Sequence, residues 1–494
     1  MSYLKCFPII ELDRQDLCWF LQIRNKPGGE QHFAVQRESL SERSGMERII
    51  FHVDVNSAFL SWSAVKRLEE DPGSVDLRTI PSAVGGNVKT RHGIITAKSI
   101  PAKRFGVTTG EPVVKALQKC PGLVLVSSDW ETYHHYSQAF IAILQEYSEL
   151  VEQASVDEAY VDMTETVMAA AAGLRRSSEE LCGKTVPETA MDYAEKQKLL
   201  LRKKAELLAS NLRDQVRTRL GFTVNVGISS NKLLAKMASD FKKPDRTHTL
   251  WPEEVADKMW PLPIGSLYGC GSRTASRLSD IGIVTIGDAA RADLPMLQSF
   301  LGEKGGAYIQ RAARGIGSTQ VQVQSEDAKS YSNEVTTSED ITTQNYERLA
   351  LPLIRKLSEK VAGRLARDGV YGSTVTVSVK TSDFRRRSRQ KKLASSTRSE
   401  EIIRKNAEEL LQGLLYEENG IFDRGGGVRL IGVGVSSLDR GEYRQMDLES
   451  FLCEQKNDQK RKAQEQKRHQ LDEMMKQLQR RYGEAAVYKG TSGM

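Results

Sequence analysis

The octapeptide Ser155-Val156-Asp157-Glu158-Ala159-Tyr160-Val161-Asp162 sets two adjacent carboxylates inside a run that otherwise reads as a buried strand. Val156, Tyr160 and Val161 favour an extended backbone, and flanks poor in Gly and Pro argue against a plain loop. Burying Asp157 and Glu158 without partners would cost several kcal/mol, so something positive must lie close to them. Far upstream, Ile49-Ile50-Phe51-His52-Val53-Asp54-Val55-Asn56 interrupts a strongly apolar strand with a single acid, Asp54. Two such strands side by side bring Asp54 next to Asp157 and Glu158. Acids gathered in this way repel unless a divalent cation joins them, and an all-oxygen donor set suits Mg²⁺. Local salt bridges, or positions at strand ends, would account for either motif alone; they account poorly for the two together.

A chain of 494 residues has the length for three or four domains with real cores. Lys and Arg (71) exceed Asp and Glu (64) by only +7, so the clustering of charge says more than its sum. Six cysteines, at 6, 18, 120, 182, 270 and 453, form no CxxC pair and have no histidine at ligand spacing. That pattern predicts a reduced, cytoplasmic protein without a zinc site. No apolar run approaches the ~20 residues of a membrane span.

Residues 1–46 mix charge, Gly and isolated hydrophobics, lack the layout of a signal peptide, and read as a poorly ordered appendage. Strand 48–55 follows, then a helix with Ser57 as its candidate cap. From 68 to 123, frequent Pro and Gly break the chain into a small inserted subdomain carrying Lys89, Arg91, Lys98, Lys103 and Arg104. These suit an anionic ligand or a solvated basic surface. Val124-Leu125-Val126 reads as a strand, and Tyr133, Tyr136, Phe140, Ile143, Leu144 and Tyr147 form a core-facing helical stripe, with His134 and His135 on its wet side. After the acidic hairpin come a charged helix over 187–219, a strand over 223–228, and Gly227-Ile228-Ser229-Ser230-Asn231-Lys232, which turns into a helix ending at Lys242-Lys243-Pro244. The expected unit is an α+β sheet covered by helices on one face.

Short helices fill 248–320, where Gly269 and Gly271 flank Cys270. The spacing predicts a tight hairpin between helices whose free amides could hold a DNA phosphate, although such a pair is usually just a turn. A polar linker (321–330) leads to strand, helix, strand, strand, helix, strand over 331–440, a ferredoxin-like plan. Thr397-Arg398-Ser399-Glu400 reads as a capping box. Arg385, Arg386, Arg387, Arg389, Lys391 and Lys392 crowd the hairpin between its middle strands. They read as a grip on phosphates or as a solvated charge run.

In this order and spacing, Asp54 with Phe59 five residues on, Ser155-Val156-Asp157-Glu158-Ala159-Tyr160, and Gly227 to Lys232 with Lys243-Pro244 resemble the Y-family DNA polymerases, most closely the bacterial DNA polymerase IV branch. The resemblance covers roughly 47–440. It implies a right-hand, α+β multidomain polymerase with a ferredoxin-like palm (47–67 and 124–247), small fingers (68–123), a helix-hairpin-helix thumb (248–320) and a βαββαβ little finger (331–440). It implies DNA-templated, error-prone extension of a primer by two Mg²⁺ ions, with Asp54, Asp157, Glu158 and the Val55 carbonyl as ligands. By the same resemblance Lys103, Arg104 and Lys243 hold the deoxynucleoside triphosphate, and Phe59 lies under its sugar. A core aromatic would explain Phe59 equally simply. The implied partners are primer-template DNA and deoxynucleoside triphosphates, and the implied setting is a monomer in the cytoplasm, at the nucleoid.

The fingers depart from the family pattern. Where Tyr-Glu-Ala-Arg or Tyr-Pro-Ala-Arg is common, this chain has Ile100-Pro101-Ala102-Lys103, without the hydroxyl and with a point charge in place of a fork. In the tail (441–494), Gln445, Leu448 and Phe451 resemble a sliding-clamp peptide. Two rivals remain: a DNA-binding protein that has lost catalysis, and another palm enzyme such as a nucleotidyl cyclase. The full set of carboxylates and lysines argues against the first, the hairpin and basic second domain against the second.

Overall fold

The computed structural model describes residues 47–86, 93–179, 190–323, 327–441 and 474. The expected appendage (1–46), Lys89, Arg91 and the clamp-like residues Gln445, Leu448 and Phe451 lie outside them. The described chain forms two compact units that divide at residue 325, inside the predicted linker.

In the first unit β1 (Ile50–Val55), β5 (Val151–Gln153), β6 (Glu158–Asp162), β7 (Val224–Ser229) and β8 (Thr247–Thr249) form a five-stranded sheet. Its order is β5-β6-β1-β7-β8. The β1 strand is central and buried throughout, which explains its nearly continuous apolar sequence. Phe51, Val53 and Val55 face one large core, shared with Tyr133, Phe140 and Leu144 of α4 (Trp130–Tyr147) and Leu208 and Leu212 of α6 (Ala190–Leu220). The predicted stripe of α4 is wholly buried, and His134 and His135 are exposed as expected.

The helices are not confined to one face. Helix α7 (Lys232–Asp240) packs on the opposite side, over His52, Asp54 and Asn225. Gly227 makes this possible: a Cβ there would lie 2.0 Å from the Ala235 carbonyl oxygen and 2.4 Å from the Ser239 nitrogen. Asn231 caps α7, accepting from Leu234 N–H at 2.9 Å, and its amide donates to the Gly315 carbonyl at 3.0 Å. Ser57, by contrast, precedes α1 (Ala58–Glu70) in a left-handed conformation and makes no side-chain cap.

The inserted subdomain has its own sheet, built from β2 (Ser82–Gly85), β3 (Ile95–Lys98) and β4 (Val124–Val126) in the order β3-β2-β4. Val124–Val126, expected in the large sheet, therefore closes the small one, pairing in parallel with β2. Helices α2 (Ile100–Arg104) and α3 (Val113–Lys119) accompany it, and α5 (Thr164–Glu179) precedes α6 in the large unit.

Downstream, α8 (Ser272–Ser279), α9 (Ile286–Arg291), α10 (Leu294–Leu301) and α11 (Glu303–Ala313) surround a core that includes Leu278, Ile286, Leu297 and Ile309. The second unit follows the predicted order: β9 (Ser330–Ile341), α12 (Tyr346–Arg367), β10 (Tyr371–Thr381), β11 (Arg386–Thr397), α13 (Glu400–Tyr416) and β12 (Val428–Asp439). Its sheet, order β11-β10-β12-β9, packs Val375, Val377 and Val379 against both helices. The capping box does not form. Ser399 sits at the cap without a side-chain bond, while Thr397 Oγ1 accepts from the Ser399 N–H at 3.0 Å.

Candidate functional site

Strand register brings the acids together. Asp54 stands directly opposite Glu158 in the antiparallel β1·β6 pair, so their side chains share a face. Asp157 lies in the turn just before β6. Its carbonyl accepts from Val55 N–H at 3.0 Å, and its carboxylate accepts from Ser155 Oγ at 2.7 Å. Of the three acids expected together, register pairs Asp54 with Glu158, while Asp157 lies in the turn before them because the strand begins only at Glu158. Among the described residues no three His, Cys, Asp or Glu side chains are already arranged as a metal cage.

Lysines from α7 and the turn after it neutralise the pair. Lys236 Nζ donates to Glu158 Oε1 at 2.7 Å and lies 3.4 Å from Asp54 Oδ2. Lys243 Nζ donates to Asp54 Oδ1 at 2.9 Å and meets Asp240 Oδ1 at the same distance. Burial, and the Glu158 carboxylate beside it, push the Asp54 carboxyl up to about 7 against the pull of both lysines. Glu158 goes the other way, held well below the usual carboxylate range by the facing His52 ring, by Asp54 and by Lys236. One proton near neutrality is therefore shared unequally by the pair. Burial opposes the charge on Lys236, yet Glu158 and Asp54 raise its pKa to about 12.

Two members of this site were not legible as such. Lys236 reads as an ordinary helix lysine, yet it is almost fully buried; its signal is a charge inside the apolar run Leu233-Leu234-Ala235-Lys236-Met237-Ala238. His52 reads as unremarkable, yet it is wholly buried beside Glu158, and burial lowers its pKa. Asn225 is a third structural participant: its amide donates to the carbonyls of Ser239 (3.0 Å) and Lys242 (2.8 Å), which sets the turn that carries Lys243.

On α1, just after β1, Phe59 lies half-buried on an aromatic bed. Its ring stacks on Tyr133 at 4.6 Å and meets the edge of Trp130 at 5.5 Å. In the small subdomain α2 is capped by Ser99 and starts with Ile100, which is 45% exposed. Lys103 and Arg104 are exposed on its last turn. Partial burial and the nearby charge of Lys103 lower the pKa of Lys98.

The impB/mucB/samB family matches residues 53–240, its C-terminal domain 328–448, and the IMS family HHH motif 252–283. The chain is 33% identical over 445 residues to a DNA polymerase IV of Clostridium acetobutylicum, covering 90% of this chain and 98% of that protein. It is 34% identical over 451 residues to DNA polymerase IV 1 of Bacillus subtilis, covering 91% and 94%. The chain belongs to the Y-family DNA polymerases, in the DNA polymerase IV branch. A solved Y-family polymerase chimera shares the fold with a TM-score of 0.63 at 24% identity, over 79% of this chain and 98% of that one.

Asp54 and Glu158 lie on the five-stranded sheet with Asp157 in the turn before β6, Lys236 on α7 and Lys243 in the turn after it, while Lys98, Lys103 and Arg104 lie in the small subdomain. The thumb motif differs slightly from expectation: Gly269 and Gly271 join a short 3-10 turn (Ile264–Ser266), rather than a full helix, to α8. Gly269 has φ +82, and a Cβ there would meet the Tyr308 hydroxyl at 2.4 Å; Gly271 has open space around it. In the little finger the basic run is strand rather than loop, so it divides between two faces. Arg386 and Lys392 stand opposite Lys380 and Thr374 on the open face. Arg387, Arg389 and Lys391 stand opposite the core valines. There Arg389 pairs with Glu417 at 2.6 Å and Lys391 with Glu409 at 2.7 Å. Arg385 pairs with Asp383 at 3.0 Å and Arg386 with Glu334 at 2.6 Å. The open face also carries the small residues Thr376, Ser378, Ser388, Gly432 and Gly434, together with Gln390, Leu430 and Glu334. No helix among the described residues is long and apolar enough to cross a membrane.

Proposed function

We propose that this chain is a DNA-directed DNA polymerase that extends primer 3′-ends with deoxynucleotides by a two-metal mechanism and copies damaged template. The observation that carries the reading is the buried, cross-strand Asp54–Glu158 pair with two lysines on it. A hard divalent cation fits there: the donors are all oxygens, and burial forces one carboxyl to keep its proton near neutrality unless positive charge arrives. Asp54, Asp157, Glu158 and the Val55 carbonyl would hold Mg²⁺. Bound there, Mg²⁺ favours ionisation of the primer hydroxyl and neutralises charge on the leaving pyrophosphate.

The other roles follow from charge and shape. Lys243, Lys103 and Arg104, with Lys98 beside them, orient and neutralise the triphosphate. Phe59 forms the floor beneath the sugar and leaves no room for a 2′-hydroxyl. The Gly269–Gly271 turn presents free amides to a primer or template phosphate. Arg386 and Lys392 meet the backbone on the open face of the little finger, and Arg385, Arg387, Arg389 and Lys391 add positive field at its edge. Gln445, Leu448 and Phe451 would engage a sliding clamp. The protein acts as a cytoplasmic, nucleoid-associated monomer.

Primer extension with Asp54→Asn, Asp157→Asn and Glu158→Gln tests the reading. Each should lose Mg²⁺-dependent extension by roughly 10³-fold or more, a transition-state loss of about 4 kcal/mol. Binding to primer-template should persist. Extension by Asp157→Asn at the parent rate would refute the metal assignment.

A further inference from the structure

Two residues before Asp54, on the same face of β1, the His52 ring is sealed inside the palm. Its Nδ1 lies 2.8 Å from Ser239 Oγ, and its Nε2 lies 3.5 Å from Glu158 Oε2. Tyr160 packs against the ring at a centroid distance of 4.8 Å, which fixes its plane. The Nε2 atom is shut off from solvent and makes no closer polar contact. Buried polar atoms are nearly always satisfied, so a ring that only filled space here would be better replaced by a hydrocarbon. Its one polar prospect is the Glu158 carboxylate.

The placement of protons supports that direction. A neutral imidazole carries a single N–H. The Ser239 hydroxyl is 2.8 Å from both His52 Nδ1 and the Lys236 carbonyl. The hydroxyl has one proton, which goes to the Lys236 carbonyl when the ring N–H is on Nδ1. The Glu158 carboxylate beside Nε2 favours the other tautomer, in which the hydroxyl turns to donate to Nδ1 and the ring N–H sits on Nε2, facing Glu158. Glu158 Oε1 is already held by Lys236 at 2.7 Å, so a donor on Oε2 would fix the carboxylate at both ends. We propose that His52 is a positioning residue that donates Nε2–H to Glu158 and sets the plane in which this carboxylate faces Asp54. The proposal rests on the reading of Glu158 as a metal ligand given above. Outer partners of this kind orient a ligand without touching the metal, and their loss typically weakens metal binding.

The test compares His52→Asn, whose amide can replace Nδ1 toward Ser239 but cannot reach Glu158, with His52→Gln, whose amide can replace Nε2. Mn²⁺ binding by the full-length protein is followed by electron paramagnetic resonance. The samples contain dideoxy-terminated primer-template and a correct deoxynucleoside triphosphate, so no turnover occurs. His52→Asn should bind Mn²⁺ roughly 10–100-fold more weakly than the parent, while His52→Gln should stay within about threefold. Melting temperature and triphosphate affinity should be retained in both. Equal Mn²⁺ affinity in His52→Asn and the parent would overturn the role of His52 alone. A parent that binds no Mn²⁺ and extends no primer would overturn the catalytic reading together with it. If His52→Asn does not fold, Ser239→Ala serves instead: a several-fold loss of Mn²⁺ affinity supports the proposal, and an unchanged affinity overturns it.

Discussion

Lys236 Nζ sits 2.7 Å from Glu158 Oε1, a bond between a helix on one side of the palm sheet and the strand beneath it. The ammonium is almost wholly buried and Glu158 only about a quarter exposed, so water screens the pair little. Lys236 therefore does for the metal-free palm part of what a divalent cation would do, holding two facing carboxylates together.

Removing that charge should destabilise the protein in a metal-dependent way. Lys236→Met is expected to lose about 2–4 kcal/mol of stability without divalent ions, somewhat below the ~3–5 for breaking a fully buried pair because Glu158 is partly exposed. Mg²⁺ should recover a large part of the loss. Urea unfolding of parent and variant, with and without Mg²⁺, checks this; an identical deficit in both buffers would discard the idea.

The pH dependence has a definite sign. Folding raises the Asp54 carboxyl from an unfolded value near 3.9 to about 7, so the folded chain binds its proton more tightly. The contribution of this group is fully present below about pH 4 and is lost as pH rises through about 7. Metal-free protein should lose this contribution between those values, and Mg²⁺ should oppose the loss. Unfolding midpoints of parent and Asp54→Asn across that window read it directly: the two must diverge as pH rises without metal.

Phe59 lies in an aromatic stack and is the proposed floor of the nucleotide site. Phe59→Ala should cost about 1–2 kcal/mol, below the ~3–5 of a fully buried Phe, because the ring is half-buried. Preference for deoxy- over ribonucleotides should fall by roughly 10–100-fold as the space under the sugar opens. Competition kinetics decide, and an unchanged preference would return Phe59 to a packing role.

In the proposed nucleotide site, exposed Ile100 would offer the triphosphate no hydrogen bond, so Lys103 with Lys98 would supply much of the charge. Lys103→Ala should raise the nucleotide KM by roughly 10-fold or more, as for loss of a charge-assisted bond. Ile100→Tyr with Lys103→Arg should lower it. Steady-state kinetics that show a KM indifferent to Lys103→Ala would mean that α2 points away from the phosphates.

The two faces of β11 should behave differently. Arg386→Ala with Lys392→Ala should weaken DNA binding on every sequence and reduce the salt slope by about 1 for each phosphate no longer neutralised. Arg389→Ala with Lys391→Ala removes charges on the other face of the strand, opposite the core valines and paired with Glu417 and Glu409, and should change binding less. Its stability should shift by about 1 kcal/mol or less. Titrations at several salt concentrations separate the pairs; equal effects would show that the whole strand acts only as a diffuse field.

Local sequence determined a great deal here. Period-two alternation marked β10, the three-and-four spacing of aromatics marked α4, and two acids in apolar strands marked the centre of the palm, because each pattern is set by the backbone geometry of a single element. The order of elements and the division near residue 325 followed from the same signals. What the tertiary structure alone decided were relationships across elements. Strand register made Asp54 face Glu158 and left Asp157 in the turn. Strand pairing moved Val124–Val126 into the small sheet, and alternation split the basic run of β11 between two faces. The side of the sheet on which α7 lies is written in no short stretch: it depends on Gly227 having no Cβ where Ala235 and Ser239 pass. That close approach is what brings Lys236 to the carboxylates and Ser239 to His52, residues whose letters alone look like an ordinary surface lysine and an ordinary histidine. Burial and partner, which only the packed fold supplies, turn them into parts of the site.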